Sequence, residues 1–137
     1  MNKTLKRKSI LILSLLLFCL IITGCNKEQT YISEMTDDMA NNIIKTCSNF
    51  YNVTVDEIEI HKFHGSFDDA SVVEIDIYGL EGTTGVTTFE VAGIEFTDCG
   101  SPRSLVVVYQ NNVYGLKEAY ENGILTKSSL EKLPKEF

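Results

Sequence analysis

Tryptophan is absent from this chain, proline occurs twice, and histidine is limited to His61 and His64. Any imidazole chemistry therefore rests on those two residues. No Gly-x-Ser-x-Gly elbow, phosphate-binding P-loop, dinucleotide fingerprint or D-x-[DN]-x-[DN]-G calcium loop occurs, which leaves no motif for α/β-hydrolase, nucleotide-dependent or EF-hand chemistry. There is no internal repeat and no low-complexity run. No apolar run reaches the ~18 residues of a membrane-spanning helix. Basic residues are outnumbered, 12 against 19 acidic ones in 137 residues.

The basic residues that exist are unevenly placed. Lys3, Lys6, Arg7 and Lys8 precede an almost unbroken apolar run, Ile10 to Ile22, which Ile22-Thr23-Gly24-Cys25 closes. A basic start, a short apolar stretch and a small residue before the cut are the parts of a secretory signal peptide. The closing four residues resemble the lipobox of bacterial lipoproteins. That resemblance implies cleavage between Gly24 and Cys25 and a diacylglycerol on the Cys25 sulfur, with palmitate-type acyl chains in the membrane. Two or more chains hold a protein stably without a spanning helix. The other reading is an ordinary cleaved signal peptide followed by a chance cysteine. A third reading, an uncleaved anchor helix, is disfavoured by an apolar run well short of about 18 residues. By the lipobox resemblance residues 1–24 are removed and the remainder faces the outside of the cell membrane. Lys-, Ile- and Asn-rich usage points to a Gram-positive source of low genomic GC.

From Cys25 onward the chain is one domain long. All 19 acidic residues lie there with only eight of the 12 basic ones, so the net charge of that part is −11. Such a surface argues against nucleic acid and against lying flat on anionic lipid. A basic partner or a cation would be attracted. Residues 25–34 read as the lipidated cysteine and a polar tether, and 35–137 as the domain. Cys19 leaves with the signal peptide, so Cys47 and Cys99 remain. A bridge between them closes a loop of about 50 residues and is worth roughly 4 kcal/mol in the chain-entropy model. The competing arrangement buries Cys47 on a helix's apolar face and leaves Cys99 in a loop.

The periodicity gives an α+β order: one N-terminal amphipathic helix packed on an antiparallel sheet of four to five strands, then two short C-terminal helices. Thr36 is placed to cap a helix over about 37–50, with Asp37 and Asp38 in its first turn and Met39, Ile43, Ile44, Cys47, Phe50 and Tyr51 on one face. A strand is expected from near Asp56, a turn at Gly65–Asp69, and a half-buried strand through Val73, Ile75 and Ile77. Phe89, Val91, Ile94 and Phe96 read as a third strand with a bulge at Gly93. Thr97–Ser104 reads as loop. Leu105–Tyr109, apolar on both sides, reads as a covered central strand, followed by a tight turn at Gln110-Asn111-Asn112 and a short return. Gly123 stops the first tail helix, and Thr126 caps the second.

Tyr114 to Thr126 resembles the aromatic-x-Leu-x-Glu-Ala-Tyr-x-x-Gly-x-Leu-Thr ending of small bacterial lipoproteins of uncharacterised function. With the Ala92-Gly93-Ile94 strand, the similarity covers about residues 35–133. The chain departs from it at Gly65-Ser66-Phe67-Asp68-Asp69, where Gly-x-Tyr-Asn-Gly is frequent, and at Ser128-Ser129, where an acid is usual. The resemblance implies a fold pattern and no particular activity.

Three constellations are chemically suggestive. His61 or His64 with Cys99 is the available nucleophile–base material, which needs a thiolate beside an oriented imidazole. Three residues apart on a regular strand, the two histidines point to opposite faces, which disfavours a shared zinc. Glu57, Glu59, Glu74 and Asp76 lie on two strands joined by one turn and form an expected exposed acidic face for a cation or a basic partner. The function these signals favour is a lipid-anchored, non-enzymatic binding module without a cofactor, contacting an envelope protein. The alternatives are a small-ligand, metal or enzymatic site on those residues, and an immunity or inhibitor protein.

Overall fold

The computed structural model describes residues 28–79, 84–100 and 103–137, so Gly24 and Cys25 lie outside the described residues, as does the side chain of Cys99. The chain is α+β. Its strands are β1 (Tyr31–Ile32), β2 (Ile58–Phe67), β3 (Ala70–Ile77), β4 (Thr84–Val91), β5 (Ile94–Gly100), β6 (Arg103–Tyr109) and β7 (Asn112–Tyr114). Its helices are α1 (Asp37–Tyr51), α2 (Leu116–Glu121) and α3 (Lys127–Glu131). A five-stranded antiparallel sheet runs β1-β2-β3-β6-β7, and β4-β5 forms a separate two-stranded sheet. Among the described residues no helix is long and apolar enough to cross a membrane.

Three layers result. α1 covers one face of the large sheet, where Ile43 and Cys47 meet Val73, Ile75, Val106 and Val108. The β4–β5 hairpin and the two tail helices cover the other, with Phe96, Val107, Leu116 and Leu130 in its core. β3 and β6 thus lie between two apolar layers, which is why Leu105-Val106-Val107-Val108 carries no polar alternation. In α1 the Thr36 hydroxyl accepts the Met39 N–H, and Asn52 ends the helix in the left-handed region at φ 55°.

Two expectations are corrected. Phe89 to Phe96 is a hairpin rather than one bulged strand, because Ala92 (φ 52°) and Gly93 (φ 79°) make a two-residue turn between Val91 and Ile94. Residues 97–100, expected in a loop, continue β5.

The expected tether is corrected as well. From Gln29 the segment is bonded into the domain. The Gln29 side chain donates to the Ile124 carbonyl (2.8 Å) and accepts from the Thr126 N–H (3.3 Å) and the Ser129 hydroxyl. Thr30 and Asp68 exchange two further bonds. Tyr31 then lies on the Phe67 ring (5.0 Å between centroids) and over Gly65, where any Cβ would collide with it. A two-residue strand is too short to be read from alternation. It is held by these tertiary contacts.

Candidate functional site

β2 is irregular. Its register with β3 shifts between Ile60 and Lys62 and again between Phe63 and Gly65. Each shift is a bulge that inserts a histidine, His61 and then His64. The strict two-residue alternation that separates the two histidines is thereby lost. Both reach carboxylates on the same face of β3. His64 Nε2 is 2.6 Å from Glu74 Oε2, and His61 Nδ1 is 3.8 Å from Asp76 Oδ2. The expectation of opposite faces is corrected by these bulges.

The acidic residues are equally changed by context. Glu74 is buried, not exposed, and the side chains of His64 and Glu74 retain only 4% and 6% of their accessible surface. The Phe137 ring stands edge-on to His64, with centroids 5.0 Å apart. Residues 135–137 are held there by hydrogen bonds from Thr97 N–H to Lys135 and from Phe137 N–H to Thr97. Asp76 lies opposite Arg103 in register and accepts from its Nε at 3.0 Å. Glu59, opposite Asp76 on the other side, accepts the Tyr78 hydroxyl. That bond, and then the charge of Glu59, hold the Tyr78 phenol above its usual pKa. Glu57 sits in the 3₁₀ turn Val55–Glu57 and accepts from Thr54 (3.1 Å). The four acids are therefore not one open cation face, because Glu74 and Asp76 already face basic side chains. No group of three or more His, Cys, Asp or Glu among the described residues is arranged to hold a metal ion.

A carboxylate that orients an imidazole is half of a general base. In this protein the imidazole is sealed between β2, β3 and Phe137, and its visible partner is structural. Cys47 is likewise unsuited to chemistry. It is a free thiol, fully buried between α1 and the sheet, and burial pushes its pKa up to about 12. The Cys47–Cys99 bridge weighed above is not formed: Cys47 projects into the α1 core, while Cys99 belongs to β5, in the layer on the other face of the sheet.

Cys47 yields a direct expectation. Alkylation by iodoacetamide at pH 8, read by peptide mass spectrometry, leaves Cys47 unmodified in the native protein and modifies it in urea. Because the folded pKa lies above the unfolded one, the folded state binds the proton more tightly. The neutral thiol's contribution is thus complete below pH 9 and declines as pH rises from 9 towards 12. Native labelling of Cys47 faster than global unfolding would contradict the burial.

A second locus has no counterpart in the sequence reading. An open cleft of about 270 Å³ lies at the start of α1, lined by Ile32, Asp38, Met39, Asn42, Ser66, Asp69 and Ser71. Three separate segments build it. α1 brings Asp38, Met39 and Asn42, one helical turn apart. The β2–β3 hairpin brings Ser66 and Ser71, which are direct cross-strand partners. Its two-residue turn, Asp68-Asp69, has both residues at positive φ (47° and 66°). The signal that exists in the sequence is that turn: two serines placed symmetrically about Asp-Asp. Without the helix beside it, the pattern names no cleft.

Comparison of the chain with protein-family models, with curated proteins and with solved structures gives no match.

Proposed function

We propose that this protein is held on the outer face of the cell membrane through lipid on Cys25 and works there as a non-enzymatic binding module. The observation that carries the reading is Ile22-Thr23-Gly24-Cys25, set directly behind a basic start and an apolar run. One structural observation accords with it. The His64 imidazole and the Cys47 thiol are both buried, while His61 keeps 41% of its side-chain surface beside Asp76.

The reading is tested by growing cells expressing the protein with an alkyne-bearing fatty acid. The wild type is expected to carry the label and to sediment with membranes. The Cys25→Ala variant should carry none. Label that persists in Cys25→Ala would sink the anchor.

A specific feature, the net charge of −11 beyond Cys25, favours a second form of the same module: an inhibitor or immunity protein that blocks a basic partner. Association would then be fast and steeply salt-dependent.

A further inference from the structure

We infer that residues 134–137 form a strap whose docking is governed by pH. The strap stays closed while the buried His64–Glu74 pair shares one proton. It lifts when the pair gains a second proton or loses the one it has. This regulation belongs to the fold and does not depend on lipid at Cys25, so either reading can fail while the other stands.

Three observations meet at one place. The His64 and Glu74 side chains are buried and lie 2.6 Å apart. The Phe137 ring covers them, edge-on to His64 at 5.0 Å and 6.1 Å from Phe96. That cover is lightly held. Beyond the buried Leu133, the strap backbone is tied to β5 at a single residue among those described. Thr97 N–H donates to the Lys135 carbonyl at 2.8 Å, and Phe137 N–H donates to the Thr97 carbonyl at 2.9 Å. A segment tied at one point opens at far less cost than the sheet beneath it.

The proton count decides when it opens. As imidazolium with carboxylate, or as imidazole with carboxylic acid, the pair holds one proton and no net charge. A second proton leaves a net positive charge at that burial, and loss of the first leaves a net negative one. Either is costly away from water, and lifting Phe137 admits water. The released state therefore binds more protons than the closed state at low pH and fewer at high pH, so docking weakens in both directions. The other charged groups on the elements around the pair are His61, Asp76 and Arg103 in the next row of the sheet, Asp98 of β5, Lys135 and Glu136 of the strap, and the Phe137 α-carboxylate. Asp76 is already paired with Arg103 at 3.0 Å, and the Lys135 ammonium lies over the Phe96 ring at 5.6 Å. Release frees the Thr97 N–H and carbonyl and bares the His64 and Phe96 rings, so access to this seam follows pH.

The test places 4-fluorophenylalanine at position 137 alone in the full chain, held in detergent. Its ¹⁹F signal is followed from about pH 4 to 9, the span of carboxylate and imidazole titration. The amide signals of Val73 and Ile75, under α1, report the global fold. In the wild type the docked signal is expected to be strongest at intermediate pH and to fade on both sides. The docked-to-released ratio should fall by up to about tenfold per pH unit on either limb, as one linked proton requires. Glu74→Gln keeps the shape and a hydrogen bond but removes the carboxylate, so a neutral imidazole alone leaves no net charge. The alkaline limb should then vanish and the acid limb move to higher pH. The surrounding charged groups are the same in both proteins, so that difference belongs to the pair. If Glu74→Gln does not fold, the double variant His64→Phe, Glu74→Leu takes its place and should show neither limb. A docked signal that is constant across the range in the wild type, a variant profile identical to it, or loss of the Val73 and Ile75 signals in step with the strap overturns the inference.

Discussion

Replacing His64 with phenylalanine is expected to cost roughly 3–5 kcal/mol of unfolding free energy, measured by urea denaturation of the full chain. The cost does not come from losing a favourable ion pair. It comes from leaving the Glu74 carboxylate at 6% exposure with its 2.6 Å partner gone. Glu74→Leu alone should also destabilise, because it leaves the buried His64 ring without its hydrogen-bond partner. The double variant His64→Phe, Glu74→Leu is expected to lie within about 1 kcal/mol of the wild type, since well-packed apolar groups often replace a buried pair without loss. The cycle separates desolvation from attraction. A double variant as unstable as His64→Phe would mean that the site needs the polar pair for its shape. The same double variant removes the imidazole, so it also reports whether His64 has any role in binding.

Phe96→Ala should be comparably severe, at about 3–5 kcal/mol. Phe96 is fully buried beneath the sheet, stacked with Phe89 at 5.8 Å and close to Phe137 at 6.1 Å. With Val91 it anchors the β4–β5 hairpin in the core under the larger sheet, so its loss should also speed hydrogen exchange at Thr97 and Phe137, whose amides bond to each other's strands. Phe96→Leu, which keeps most of the volume, should cost about 1.5 kcal/mol or less. If Phe96→Ala costs no more than that, the hairpin is an appendage and the core on that face belongs to α2 and α3 alone.

The elements that the sequence discloses are those whose cause is local. Thr36 with Asp37 and Asp38 marks a helix start because capping involves only neighbouring residues, and the structure has Thr36 accepting from Met39. Leu105 to Val108 is legible as a doubly covered strand because burial on both faces erases polar alternation. Gln110 and Asn111 announce a turn, and both have positive φ. What escapes is set at a distance. Ala92 in the left-handed region is uncommon, so a turn there looks like a slip in a single strand. The bulges in β2 are decided by its pairing with β3, and only they put His61 and His64 on one face. Tyr31–Ile32 becomes a strand through the Phe67 ring and the bare Gly65. The candidate site follows the same division: the acids are visible as a set, but their partners His61, His64 and Arg103 come from register. The cleft at α1 is assembled by three segments, and no window of the sequence holds it.

The two bulges also bear on how copies of this protein coexist. Among the described residues β1 covers only Ser66 and Phe67 of the outer side of β2, so Ile58 to Gly65 presents a long free edge. A flat edge of that length is a template for a neighbouring chain, and molecules confined to a surface meet far more often than molecules in solution. Two interruptions at His61 and His64 throw any intermolecular ladder out of step after two or three residues. If lipid on Cys25 confines the protein to a membrane as proposed, its crowded copies stay separate, and only a β2 shortened at both histidines would offer a neighbour an uninterrupted edge.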